Sequence, residues 1–338
     1  MKRKHISIIF RFIFSGAIII YFLFVLSSKY GGLGKGLSSF LSVFSKVSLV
    51  WIIPAFSLHF VGIALMSLRW RILLKAQVGD VRYCDLYSFN LMAAFFNNFL
   101  PSTIGGDIVK GLESKKFTGD KTTSLTVIFV ERVTGMVALV VISLTALLIY
   151  SVKVDIHSGG SNPLIYVGIV MTVISGIVLI SIPSVNERFL KVIRPVLPKR
   201  VFEIISKAFF AIKVYYRYPA ALFKALAVSL MFQLNMVFYY FFISASIGQN
   251  PDIIDFMIKA PILIFLLMTL PSVNGIGVRT AVFGNLMKFS TPAALAVEAL
   301  DIALRMILGV FGGIVYLFYK RDKNILEQDR SSIKTIDE

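Results

Sequence analysis

The chain of 338 residues has one cysteine, three histidines and two tryptophans, and only 16% of it is charged. A single thiol, Cys84, closes no intrachain disulfide and builds no thiolate cluster. His5, His59 and His157 stand in unrelated segments, so no histidine spacing suggests a metal site. Neither a metal nor a cofactor is expected. Enzyme signatures are missing too. There is no G-x-x-x-x-G-K-[ST] phosphate loop, since "GGLGKGLSS" fails its spacing, and no H-E-x-x-H, nucleophile elbow or Ser–His–Asp set. With no recognisable catalytic motif, a non-enzymatic role is the expectation. A membrane-embedded transferase using Asp107 or Glu131 as base stays open.

What the chain has is apolar length. It is 57% hydrophobic with a mean hydropathy of +0.81, against about 45–50% apolar and about 25% charged in soluble domains. That composition predicts an integral membrane protein. The net charge of +17 could suggest nucleic acid, but the basic residues lie between apolar runs rather than on one solvated face. A positive-inside bias and attraction to anionic lipid headgroups account for them, and no nucleic-acid partner is expected. The start, KRKH followed by an apolar run to Leu26, resembles a signal peptide. The run is too long, and no small-residue cleavage site follows "FVLSSKY", so it reads as a retained anchor.

A full span needs about 20 mostly apolar residues. The candidates are 6–26, 49–68, 122–150, 163–182, 221–247 and 292–319. Two more apolar stretches, 85–117 and 253–289, are broken at "LPSTIGG" and "LPSVNGIG". Each half of about 15 residues reaches only about 22 Å, short of the hydrocarbon core, so both read as re-entrant hairpins. With the N-terminus inside, the cytoplasmic segments hold 26 Lys and Arg against 7 outside. This places a multi-pass protein in the cell (inner) membrane with both termini cytoplasmic. "KRVFEIISKAFFAIKVYYR", 199–217, reads as an amphipathic surface helix. The fold class predicted is thus all-α, with six spans and two hairpins. Residues 1–320 form one transmembrane domain and 321–338 a cytoplasmic tail.

The two broken stretches match at an offset of 170. Leu100, Pro101, Ser102 and Gly105 fall on Leu270, Pro271, Ser272 and Gly275, and Glu131 falls on Asp301. That predicts an inverted repeat with units 49–150 and 221–319. Non-helical backbone at membrane depth is tolerated only inside protein or beside a wet cavity. Paired breaks in opposed repeats are where transporters bind substrate. Each restarted helix aims free N–H groups and a partial positive charge inward, where glycine permits close approach of an anion. The candidate headgroup contacts in the first break are Ser102, Gly105, Gly106, Asp107 and Lys110. In the second they are Ser272, Asn274, Gly275, Gly277 and Arg279. The plainer reading is that the glycines make turns and Asp107 caps a helix.

Charges inside spans are costly and usually face a bundle interior or a wet path. Here they are Glu131, Arg132, Glu298, Asp301 and Arg305, the last three on one helical face. They form either a polar pathway or a static ion-pair network. Gly309 and Gly313 make a small-xxx-small packing face. Trp70, between Arg69 and Arg71, reads as an anchor at the inner interface.

"RWRILL", "NNFLPSTIGGDIVKG", "VERVTG" and "LPSVNGIGVR" together resemble the lysylphosphatidylglycerol synthase transmembrane-region family, over about residues 10–320. The resemblance implies a polytopic bundle with re-entrant helices that moves or handles lipid (flippase-like). It implies no lysyl transfer, because the aminoacyl-transferase domain would follow the spans and this chain stops at Glu338. Members often carry Glu after the Arg of the last motif, whereas Thr280 follows Arg279 here. The expected function is translocation of an anionic phosphate lipid, either a modified phospholipid or a polyprenyl-phosphate-linked glycan. A lipid-modifying transferase and a scaffold for an envelope-biosynthesis enzyme are the alternatives. Such an enzyme, or a second copy of this chain, would be the protein partner.

Overall fold

The computed structural model describes residues 32–99, 110, 117–119, 121–158, 214–269, 275 and 277–334. Among them there are eight helices and no strand. These are α1 (Leu33–Phe44), α2 (Leu49–Val78), α3 (Tyr83–Phe99), α4 (Lys121–Ser158), α5 (Pro219–Ser246), α6 (Ile253–Thr269), α7 (Val278–Asn285) and α8 (Thr291–Lys334). Four of them (α2, α4, α5 and α8) contain stretches long and apolar enough to cross a membrane. The protein is a multi-pass membrane protein, all-helical over the described residues. The expected spans 6–26 and 163–182 lie outside the described residues, as does most of 199–217. The short helix α1 was not foreseen, because 12 residues fall below the length at which an apolar run reads as a span. It packs on α8.

Local sequence explains several boundaries. Pro219 opens α5 where its missing N–H costs nothing, and Asp252 accepts the Ile254 N–H at 2.7 Å to begin α6. α2 ends at Gly79, whose φ of 91° suits only glycine. Just beyond, Asp80 accepts hydrogen bonds from Arg71 at 3.1 and 3.2 Å.

The bundle turns its apolar surface outward. Leu49, Val50 and Ile53 on α2, Phe223 and Met231 on α5, and Leu317 and Phe318 on α8 are all exposed. Patches of that extent suit hydrocarbon rather than water. Polar side chains turn inward and tie helices together. Asn235 donates to the Leu58 carbonyl at 3.1 Å, Asn90 to Ser67 Oγ at 2.8 Å, and Tyr83 to the Ala64 carbonyl at 3.0 Å. The most extensive packing joins α2 to α5, where Gly62 lets Asn235 and Phe232 come close.

Three helices recur at one interval of 170 residues. Leu49 and Pro219 start α2 and α5, Tyr83 and Ile253 start α3 and α6, and Lys121 and Thr291 start α4 and α8. The packing crosses between the sets: α3 lies on α8, and α6 lies on α4. In the first of these contacts Gly309, Gly312 and Gly313 of α8 sit against Asn98, Leu91 and Phe95 of α3.

Candidate functional site

A cavity of about 300 Å³ opens where α2, α4, α5, α6, α7 and α8 converge. Its wall is mixed. Among the described residues, Met66, Ile128, Phe232, Met236, Ile264 and Leu267 supply apolar surface, while Arg69, Lys110, Arg132, Arg279 and Arg305 bring five cations and Glu131 and Asp301 two carboxylates. Charges this deep in a helical bundle need partners. Six of the seven fall into two clusters.

In the first cluster, Glu131 of α4 accepts from Arg69 of α2 at 2.9 Å and from Lys110 at 3.1 and 3.3 Å. Arg69 also donates to Ser229 Oγ of α5 at 3.0 Å, and its guanidinium lies 5.8 Å from the Phe232 ring centre. The Lys110 ammonium sits 5.0 Å from the ring centre of Trp70, a favourable place for a desolvated cation. Gly135 keeps this cluster open, since a Cβ there would crowd the Arg69 guanidinium at 3.2 Å.

In the second cluster, Asp301 of α8 pairs with Arg279 of α7 at 2.6 Å and with Arg305 one turn along its own helix. Tyr239 of α5 donates to its other oxygen at 2.8 Å. His59 Nε2 of α2 lies 3.0 Å from that same phenol oxygen. Arg279 donates further to Tyr240 at 3.3 Å. Gly275 permits this arrangement. Its φ is 74°, and a Cβ would overlap both the Arg279 guanidinium and Leu267.

Glu298 stands apart from the cavity wall. Its carboxylate takes the Gly277 and Thr280 N–H groups at the start of α7, as well as the Thr280 hydroxyl. The helix N-terminus that could have received a headgroup is thus filled by an internal anion. Thr280 suits this place because it donates, whereas a Glu there would set two carboxylates together.

Lys110, Glu131, Arg132, Gly275, Arg279, Asp301 and Arg305 therefore meet at one cavity, and Gly277 joins through Glu298. Ser102, Gly105, Gly106, Asp107, Ser272 and Asn274 lie outside the described residues. Trp70 differs from expectation: it is fully buried rather than interfacial, and its neighbour Arg69 belongs to the site. Arg71 alone stays at the surface, with Asp80. Sequence reading also missed His59, Tyr239, Tyr240, Ser229 and Gln233. The one available signal was the interval of 170, which places Arg69 on Tyr239 just as it places Glu131 on Asp301.

No curated protein and no solved structure matches the chain. One family model does, described as the lysylphosphatidylglycerol synthase TM region, and it covers residues 8–321. With nearly all of its length matched, the chain belongs to the family of the lysylphosphatidylglycerol synthase TM region, membrane proteins of lipid metabolism.

Proposed function

We propose that the protein is a flippase-like translocase that carries a lipid with an anionic phosphate headgroup across the cytoplasmic membrane. One observation carries this reading: among the described residues, five cationic side chains and two carboxylates line a cavity between membrane-crossing helices, with an apolar wall beside them. Those cations suit phosphate, and the apolar wall suits the glycerol or prenyl stem next to it. Tails would stay in lipid while the headgroup crosses the cavity. The recurring helix starts and the crossed packing support two inverted units, 49–150 and 221–319, each with a re-entrant hairpin. Both termini then lie in the cytoplasm, and residues 1–320 act as one domain.

The test uses purified protein in vesicles, with the anionic lipid class that co-purifies with it, identified by mass spectrometry and tail-labelled. Labelled lipid added to the outer leaflet should become protected from a membrane-impermeant quencher, and should be recovered with its mass unchanged. Recovery of a chemically altered headgroup would favour the transferase. Protection no faster than in protein-free vesicles would refute translocation.

A further inference from the structure

The two clusters match in plan but not in chemistry. Glu131 is clamped by two deeply buried cations, with the Arg69 and Lys110 side chains only 8% and 4% exposed. Asp301 has one buried cation, Arg279, at 2% and one accessible cation, Arg305, at 25%. Where the first cluster has Arg69, the second has Tyr239, a neutral donor linked onward to His59 at the cavity wall. One carboxylate is held by two deeply buried cations; the other is held by one buried cation, by a more exposed cation that lines the cavity, and by a phenol hydrogen-bonded onward to a histidine.

Resting on the translocase reading, we propose that Asp301 is an internal counter-anion which a lipid phosphate displaces from its arginines, and that it takes up one proton as it is displaced, so that headgroup and proton enter together. Before entry the cluster holds one carboxylate and two guanidiniums. After entry it holds one phosphate monoanion, the same two guanidiniums and a neutral carboxylic acid. One O–H bond forms on Asp301, the arginine contacts pass to phosphate oxygens, and the net charge of the buried cluster is unchanged. Without the proton, a buried carboxylate would lose its cations while a second anion arrived, which a site of low polarity strongly opposes.

The groups facing Asp301 suit this exchange. Arg279 comes from α7 and Tyr239 and Tyr240 from α5, with His59 of α2 one hydrogen bond further away. On its own helix, Arg305 provides the accessible cation and Glu298 a second negative charge. From α3, Asn98 donates at 2.9 Å to the backbone carbonyl of Arg305, fixing the helix from which that guanidinium extends. The line from His59 Nε2 through the Tyr239 hydroxyl to Asp301 Oδ1 is a continuous route for the proton.

Titration calorimetry of dioctanoyl phosphatidylglycerol into the purified full chain, in two buffers of different ionisation heat, counts protons taken up per lipid bound. This phosphodiester does not itself titrate near neutral pH. Uptake should approach one proton, with affinity weakening about tenfold per unit rise in pH. Asp301→Asn should take up none. Tyr239→Phe removes a donor that favours the charged carboxylate, so it should move the range of proton uptake to higher pH. Wild-type binding without proton uptake, or full uptake by Asp301→Asn, overturns the coupling and leaves the translocase reading standing. Failure of the wild type to bind this lipid and the co-purifying lipid overturns both. Should Asp301→Asn not accumulate, Tyr239→Phe decides, and an unmoved pH range for uptake overturns the proposal.

Discussion

Glu131 is the residue on which most of the first cluster depends. Arg69 and Lys110 both spend donors on it, and all three side chains are buried. Removing one partner of a buried pair leaves the other charge uncompensated, at a cost of about 3–5 kcal/mol. Glu131→Gln strands two cations, so its effect should reach at least that range. The purified variant should unfold at clearly lower temperature or denaturant. Arg71→Gln offers the contrast, because it breaks an ion pair with Asp80 that is open to solvent and contributes little. Equal loss in the two variants would mean that the Glu131 cluster is not desolvated in the folded protein.

At the scale of elements, the contact between α3 and α8 depends on the absence of side chains. A Cβ on Gly312 would overlap the Leu91 carbonyl oxygen, which is backbone and cannot swing away. A Cβ on Gly309 would meet the side-chain amide of Asn98, which can move at the loss of its hydrogen bond to the Arg305 carbonyl. Overpacking typically costs about 1–3 kcal/mol. Gly312→Ala should therefore destabilise more than Gly309→Ala in denaturation of the purified protein. The reverse order would place the closest approach of the two helices elsewhere. Asn98 matters for a second reason, since it ties α3 of one set to the turn of α8 that bears Asp301 and Arg305.

For the whole molecule, the proposed topology puts the end of α4 outside the cell and the segment near residue 207 inside, following the excess of Lys and Arg on the inner side. Cys84 is exposed and must be replaced first. In a Cys84→Ser background, His157→Cys should react with a membrane-impermeant thiol reagent in intact cells, and Lys207→Cys only after lysis. The opposite pattern would invert the protein in the membrane, and equal labelling would undo the count of spans. The crossed packing, α3 on α8 and α6 on α4, makes the two sets of helices mutually dependent for burial. Neither should persist as a separate folded unit.

Membrane residence and the positions of α2, α4, α5 and α8 were determined by the sequence alone. Each is a long apolar run, and the cost of unpaired backbone in hydrocarbon leaves such a run little choice but helix. The start of α7 beside Arg279 was equally legible, because Gly275 and Gly277 interrupt an apolar stretch. So was the correspondence of Glu131 with Asp301, which a fixed interval exposes. Which side chains face those carboxylates was decided only by tertiary structure. Helical periodicity relates residues three and four apart, whereas Arg69 meets Glu131 across 62 positions and Ser229 across 160. Read locally, Arg69 and Trp70 look like residues of a membrane interface. The packing of α2 against α4 and α5 instead buries both, because in the fold an arginine among apolar residues is best placed beside a buried carboxylate. In the same way packing, rather than any motif, sets Glu298 over the N-terminus of α7 and joins His59 to Asp301 through Tyr239.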